Sequence, residues 1–191
     1  MLTIIRGRSR GTIRAYPEPG SSLAASPKNA LSLSRLYARP GFLLRRAHQI
    51  SAAVFEDACR DVGLTPAQFG VLTVLQAHPG MGQSDLARAL GFDKVTVLRV
   101  LRGLQARGLL ERGPAHTSRR NVSVSLTAQG EALLRQARKP AEKAYRRLMA
   151  PLDRQQQEQL IALLQLLTGE LEDEARAAFV PPRSPAARQA A

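Results

Sequence analysis

From Gly41 to Val62 the apolar positions Leu43, Leu44, Ala47, Ile50, Val54, Phe55, Ala58, Cys59 and Val62 recur at helical spacing. They predict one amphipathic helix, stopped by Gly63. Thr65-Pro66-Ala67-Gln68 opens a second helix: Thr65 can cap it, Pro66 suits the first helical position, and Gln68 can close a capping box. Phe69, Leu72 and Leu75 follow, and His78-Pro79-Gly80 ends it. A short third helix fits Gln83 to Leu90, with Leu86, Ala87 and Leu90 inward and Gly91 as its stop. Asp93 caps a fourth helix whose Val97, Val100, Leu101 and Leu104 make an i, i+3, i+4, i+7 stripe, and Gly108 ends it.

The period then changes. Residues 121–126 alternate strictly, with Val122, Val124 and Leu126 on one face, and Leu109–Arg112 can pair with them. Between these strands lies a loop, Gly113–Arg120, with two adjacent arginines. Two helices joined by Gly91-Phe92 describe a helix-turn-helix, and a ribbon with a basic tip behind it describes a wing. This ribbon is the only convincing β signal in the sequence. Thr127 caps a long fifth helix, which Pro140 should kink or interrupt. Asp153 with Gln156 caps a sixth. Its Leu160, Ile161, Leu163, Leu164, Leu166, Leu167 and Leu171 exceed one stripe, and the surplus predicts burial against a second subunit.

Composition narrows the class. Leu, Ile, Val and Phe make 48 of the 191 residues, enough for a core. One cysteine excludes an internal disulfide framework and a multi-cysteine metal site. No apolar run reaches the length of a membrane span. The net charge is +13 and unevenly placed. Residues 1–40 carry seven basic side chains against one acid, Glu18; residues 41–152 carry 17 against 8; residues 153–191 carry 4 against 6. Such a field makes nucleic acid the default partner. Residues 1–38 hold Pro17, Pro19, Gly20 and Pro27 with no sustained period and read as a disordered basic extension. Their Arg-rich, acid-poor composition has a superficial likeness to an organelle transit peptide, and a start codon placed too far upstream is a further reading. Residues 176–191 read as a disordered tail.

The ordered set of elements and phrases resembles the multiple-antibiotic-resistance regulator (MarR) family of winged-helix repressors over about residues 39–172. The phrases are Arg39-Pro-Gly-Phe-Leu-Leu-Arg-Arg-Ala-His48, Leu64-Thr-Pro-Ala-Gln-Phe69, Gln83-Ser-Asp-Leu-Ala87, Gly91-Phe-Asp-Lys-Val-Thr96, Arg107-Gly-Leu-Leu-Glu-Arg112 and Leu126-Thr-Ala-Gln-Gly130. The resemblance implies a mainly α protein: a winged helix-turn-helix with a small β wing, plus long N- and C-terminal helices forming a dimerisation domain. Residues 39–63 would supply the first dimerisation helix, 64–127 the DNA-binding lobe, and 128–175 the fifth and sixth helices. It implies a cytoplasmic homodimer on a pseudo-palindromic operator, a ligand-responsive repressor released when a small molecule binds between its lobes. Many family members respond to small aromatic carboxylates or phenols. Two departures stand out. Ser118 occupies the place where the family usually has the aspartate of an Asp-x-Arg wing motif, and Gly82 replaces the usual Ser or Asp cap of the third helix. The alternative to this reading is a non-specific architectural, nucleoid-type DNA- or RNA-binding protein.

On the fourth helix the positions left after packing are Lys94, Val95, Thr96, Leu98, Arg99 and Arg102. Arg99 can make a bidentate contact to guanine, and Val95, Thr96 and Leu98 can meet thymine methyls. Lys94 and Arg102 suit phosphates. Gln83 and Ser84 start the third helix, where free N–H groups favour a phosphate, and Arg119 and Arg120 can enter a minor groove. Leu43, Leu160, Leu163, Leu164, Leu167 and Leu171 are the expected dimer contacts. At 100° per residue Arg46 and His48 fall at the two edges of the first helix's apolar face. Arg46 could grip an effector carboxylate, with Phe69 walling its ring. Cys59 is in phase with Phe55 and Val62 beside Glu56, Asp57 and Asp61, which favours burial over reactivity. His48, His78 and His116 share no ligand spacing, so no metal is expected. No phosphate-cradling glycine loop or nucleophile elbow is present, so neither catalysis nor a cofactor is expected.

Overall fold

The computed structural model describes residues 33–115 and 118–182, with the backbone alone at 114, 115 and 118–122. The expected N-terminal extension therefore lies almost wholly outside the described residues, as do residues 183–191 of the expected tail. The elements are α1 (Pro40–Ala58), α2 (Pro66–Ala77), β1 (Met81–Gly82), α3 (Gln83–Leu90), α4 (Lys94–Ala106), β2 (Leu110–Ala115), β3 (Ser118–Leu126), α5 (Ala128–Met149) and α6 (Arg154–Glu170). Single 3-10 turns occupy Arg60–Val62 and Glu172–Glu174.

The chain divides into one unit ending at Ser51 and a second beginning at Ala52. In the first, a helical turn over 33–37 precedes α1. The Tyr37 and Phe42 rings meet at 5.2 Å, and the Arg45 guanidinium lies 5.0 Å over the Phe42 ring, a cation–π contact.

The second unit is built on one aliphatic core. Val71, Leu72 and Leu75 of α2, Leu86 and Ala87 of α3, and Val97, Val100, Leu101 and Leu104 of α4 are buried together with Leu109, Leu110, Val124, Leu134 and Ala137. Caps fix where each helix begins. Thr65 Oγ1 accepts the Gln68 N–H at 3.3 Å while Gln68 Oε1 accepts the Thr65 N–H at 3.1 Å. Asp153 and Gln156 repeat this reciprocal box at 2.9 and 3.0 Å. Thr127 Oγ1 accepts from Gly130 N–H at 3.1 Å and donates to the Gly108 carbonyl at 2.7 Å. This ties the start of α5 to the turn after α4. There Gly130 lies so close to the chain that an added Cβ would fall 2.2 Å from the Leu109 carbonyl oxygen.

Several expectations are corrected. α1 does not run unbroken to Val62: its α-helical part ends at Ala58, and the last turn tightens into the 3-10 turn closed by Gly63 at φ 59°. Pro140 does not interrupt α5, which continues to Met149. The missing N–H removes a single ladder bond, while Leu134, Ala137 and Ala144 remain buried on either side. The sheet has three antiparallel strands in the order β1-β3-β2, one more than the alternation revealed. β1 pairs Met81 with Val124 and Gly82 with Ser123, and the Gly80 N–H donates to Ser125 Oγ at 3.0 Å. Thus the wing is anchored to the residues just before α3. The ribbon also reaches further, to Ala115 and from Ser118, with an irregularity between Pro114 and Ala115, and Leu109 lies outside it because its carbonyl accepts the Thr127 N–H at 3.1 Å. Finally, the beginning of the expected tail is held in place: the Phe179 N–H donates to the Glu172 carboxylate at 2.6 Å and the Val180 N–H to the Arg88 carbonyl at 2.9 Å.

Among the described residues no helix is long and apolar enough to cross a membrane, and no cluster of His, Cys, Asp or Glu could hold a metal ion. Cys59 is buried, and burial pushes its thiol pKa up, away from the thiolate that redox chemistry needs.

Candidate nucleic-acid interface

The interface begins with the turn that aims α4. Gly91 sits at φ 61°, a left-handed conformation that a side chain would strain. Its N–H reaches the Arg88 carbonyl at 3.2 Å, and the Phe92 N–H reaches Ala87 at 2.9 Å, so α3 is closed and the chain turns at once into α4. Asp93 then caps α4 with both oxygens: Oδ1 accepts the Thr96 N–H at 2.7 Å and Oδ2 accepts the Thr96 hydroxyl at 2.9 Å. These bonds, the backbone one first, hold the Asp93 carboxyl below the usual carboxylate range; the Arg99 charge adds to them.

Packing separates the faces of α4. Val97, Val100, Leu101 and Leu104 are buried. Lys94, Arg99 and Arg102 are exposed, and Val95 is 75% exposed, an unusual state for a β-branched apolar side chain. Leu98 and Thr96 are half-buried, and the Thr96 hydroxyl donates to Asp93. At the start of α3, Ser84 is exposed and Gln83 half-buried. Gly82 provides no side-chain cap, so the first N–H groups of α3 keep their capacity for an anion. The acid of that turn, Asp85, is paired with Arg88. Arg119 and Arg120 lie on β3, where only the backbone is described; Ser118 is the first residue of that strand. His116 lies outside the described residues.

The remaining expected site residues lie elsewhere. Arg46 is exposed on α1, and its Nη1 donates to Gln49 Oε1 at 3.0 Å, an oxygen that also accepts from Arg45 at 3.2 Å. His48 is exposed on the same helix. Phe69, in the second unit, meets Phe55 with the rings tilted at 57° and centroids 5.5 Å apart. Leu43 is exposed on α1, and Leu160, Leu163, Leu164 and Leu167 of α6, with Leu171 just after it, are all exposed.

Two features escaped the sequence pattern. Arg112 is exposed on β2 and adds a basic group to the wing. Arg107, at the C-terminal end of α4, donates to the carbonyls of Gly63 at 2.6 Å and Val62 at 3.0 Å. Its partners are more than forty positions away, beyond any local periodicity, although the unsatisfied carbonyls of a helix end before Gly63 give a reason to look for a donor.

The model of the MarR family matches residues 62–120, from the turn after α1 into the wing. The HTH-type transcriptional repressor NicR of Pseudomonas putida is 38% identical over 94 residues, which are 49% of this chain and 60% of that repressor, so the chain spans less than two thirds of that relative. The HTH-type transcriptional repressor Rv2887 of Mycobacterium tuberculosis is 31% identical over 127 residues, 66% of this chain and 91% of Rv2887. Its complex with DNA superposes with a TM-score of 0.54 over 68% of this chain and 98% of that one, at 30% identity. Bordetella bronchiseptica BpsR, whose DNA binding is regulated by 6-hydroxynicotinic acid, superposes with a TM-score of 0.65 at 32% identity, over 69% of this chain and 94% of that one.

Proposed function

The chain belongs to the MarR family of winged-helix transcriptional regulators, and from that premise we propose that it is a homodimeric, ligand-responsive repressor of the cytoplasm, with no enzymatic activity, that reads a pseudo-palindromic operator through α4 and the wing. The observation that carries this reading is the division of α4. One face is sealed into the core, and the other offers Lys94, Val95, Arg99 and Arg102 to solvent along a helix whose start is capped by Asp93. A major groove admits such a helix, and an exposed valine beside arginines suits thymine methyls next to guanines. The exposed leucines of α6 support a second copy of the chain as partner, because a row this apolar is rare on a monomer. A regulator of known effector among its relatives, BpsR, supports an aromatic carboxylate as the signal.

The test is competition between duplexes. A duplex selected by the protein from a random-sequence pool should bind at least ~10³-fold more tightly than random DNA. Its affinity should fall with salt at a log–log slope of about −5 or steeper, as expected when a dimer releases several counterions. Arg99→Ala should relax preference at one operator position and cost about 1–3 kcal/mol there, whereas Lys94→Ala should weaken all sequences alike. Equal affinity for selected and random DNA would replace a repressor with an architectural protein.

A further inference from the structure

The face of α4 that meets solvent leaves unexplained what holds the far end of that helix. Its N-terminus is fixed by the Gly91 turn and the Asp93 cap. Its C-terminus is closed locally by Arg107 at φ −90°, ψ 2°, and a left-handed Gly108 at φ 68°: the Gly108 N–H reaches the Gln105 carbonyl at 2.9 Å, the Leu109 N–H reaches the Leu104 carbonyl at 3.1 Å, and Thr127 Oγ1 donates to the Gly108 carbonyl at 2.7 Å. The Arg107 side chain adds a tie in another direction, to the turn that closes the 3-10 segment Arg60–Val62. Nη1 takes the Gly63 carbonyl at 2.6 Å and Nη2 takes the Val62 carbonyl at 3.0 Å, so a single planar fork holds two successive carbonyls. Those carbonyls are what a helix end leaves unsatisfied, and a cation is favoured there by the partial negative charge of the terminus. A Cβ at Gly63 would meet Arg107 Nη2 at 3.7 Å, an ordinary contact; glycine is favoured there by its left-handed φ of 59°.

We infer that Arg107 is a positioning residue for sequence recognition: it pins the C-terminal end of the reading helix α4 to the Val62–Gly63 turn and thereby sets the angle at which Val95, Leu98 and Arg99 meet the bases. In this role it acts through the helix and not as a DNA contact: two of its five N–H donors, one on each Nη, are held by backbone carbonyls. Lysine cannot substitute, since an ammonium is a point charge without the planar fork that serves two acceptors at once. The consequence is selective. Base contacts need their donors held within about 0.5 Å and 10–20° of the productive geometry, whereas phosphate contacts tolerate a tilted helix. Loosening this end should therefore reduce discrimination far more than general attraction to DNA. The inference rests on the repressor reading above, and its test keeps the two separable.

The probes are the duplex selected by the wild-type protein and a random duplex of equal length, each titrated with wild type, Arg107→Ala and Arg107→Lys well below their melting temperatures. If the wild type itself fails to prefer the selected duplex, the repressor reading fails, before Arg107 is at issue. If the wild type discriminates, both variants should lose about tenfold in the ratio of selected to random affinity, a loss matching about 1.4 kcal/mol. Their salt slopes should stay unchanged. Amide exchange at Gly63 and Leu64 should quicken in both. Three results overturn the inference. Wild-type discrimination in both variants, even with a lowered melting temperature, would leave Arg107 a stabilising residue only. Rescue of discrimination by lysine would show that charge, not the fork, is what counts. A salt slope shallower by about one per subunit, with selected and random DNA weakened alike, would make Arg107 a phosphate contact.

Discussion

At the scale of single residues the strongest constraint is steric. Gly130 has no room for a side chain, because the Leu109 carbonyl oxygen would stand 2.2 Å from its Cβ. That carbonyl already accepts the Thr127 N–H, so it cannot swing away without giving up a bond at the junction of wing and α5. Gly130→Ala should destabilise the fold by about 1–3 kcal/mol, as overpacking against backbone does, seen as a lower denaturant midpoint at unchanged slope. Charge gives a second expectation. The bonds from Thr96 lower the Asp93 pKa in the folded state, and the Arg147 hydrogen bond followed by the Arg60 charge lowers that of Asp57. A carboxyl whose folded pKa is depressed stabilises the fold fully above its unfolded value of about 3.9 and loses that contribution as pH falls through the folded value. Asp93→Asn should therefore be less stable than wild type at pH 6, and the gap should close on acidification below pH ~4. A gap independent of pH would show that the cap works without its charge.

Elements of this chain are joined by contacts that differ in sequence range, and that range governs how far each could be read beforehand. The starts of α2, α4, α5 and α6 were legible, because Thr65 with Gln68, Asp93, Thr127, and Asp153 with Gln156 act within three residues of themselves. The buried stripe of α4 was legible for the same reason: periodicity reports a face directly. β1 was not, since two residues carry no period and its partners lie some forty positions on. Nor was the role of Arg107, whose fork on Val62 and Gly63 exists only once α4 is folded against that turn. The segment after Glu174 misled through composition. Its prolines and small residues match disordered chain, yet Val180 donates to Arg88 at the end of α3, and Phe179 Cβ would lie 3.8 Å from a Cβ at Gly91. Val180→Pro deletes that donor, while also fixing φ at that position and restricting Phe179. It should cost about 1 kcal/mol, or ~2–4 °C in melting temperature, and speed amide exchange in the last turn of α3. No change in either would reduce this contact to an incidental one.

For the molecule as a whole, the repressor reading makes DNA release a matter of linkage. A ligand stabilises the state it binds, by about 2.7 kcal/mol at a hundredfold excess over its Kd, and it can displace DNA only if it binds the DNA-free state more tightly. Melting temperature and operator occupancy should then respond to the same compound. Arg46 is the residue on which we place the carboxylate of that compound. Its side chain is exposed and gives one hydrogen bond to Gln49, which leaves most of its five N–H donors available. Arg45 serves as its control, being the arginine that lies over the Phe42 ring and shares the same Gln49 oxygen. A panel of benzoate-, pyridine- and cinnamate-type acids should contain one that raises the melting temperature and releases operator DNA. Arg46→Ala should abolish both responses while dimer formation and DNA binding persist, and Arg45→Ala should keep both. A ligand to which the Arg46 variant still responds normally would make Arg46 structural, held by Gln49 for the sake of α1 alone, and the carboxylate would have to be sought at another cation.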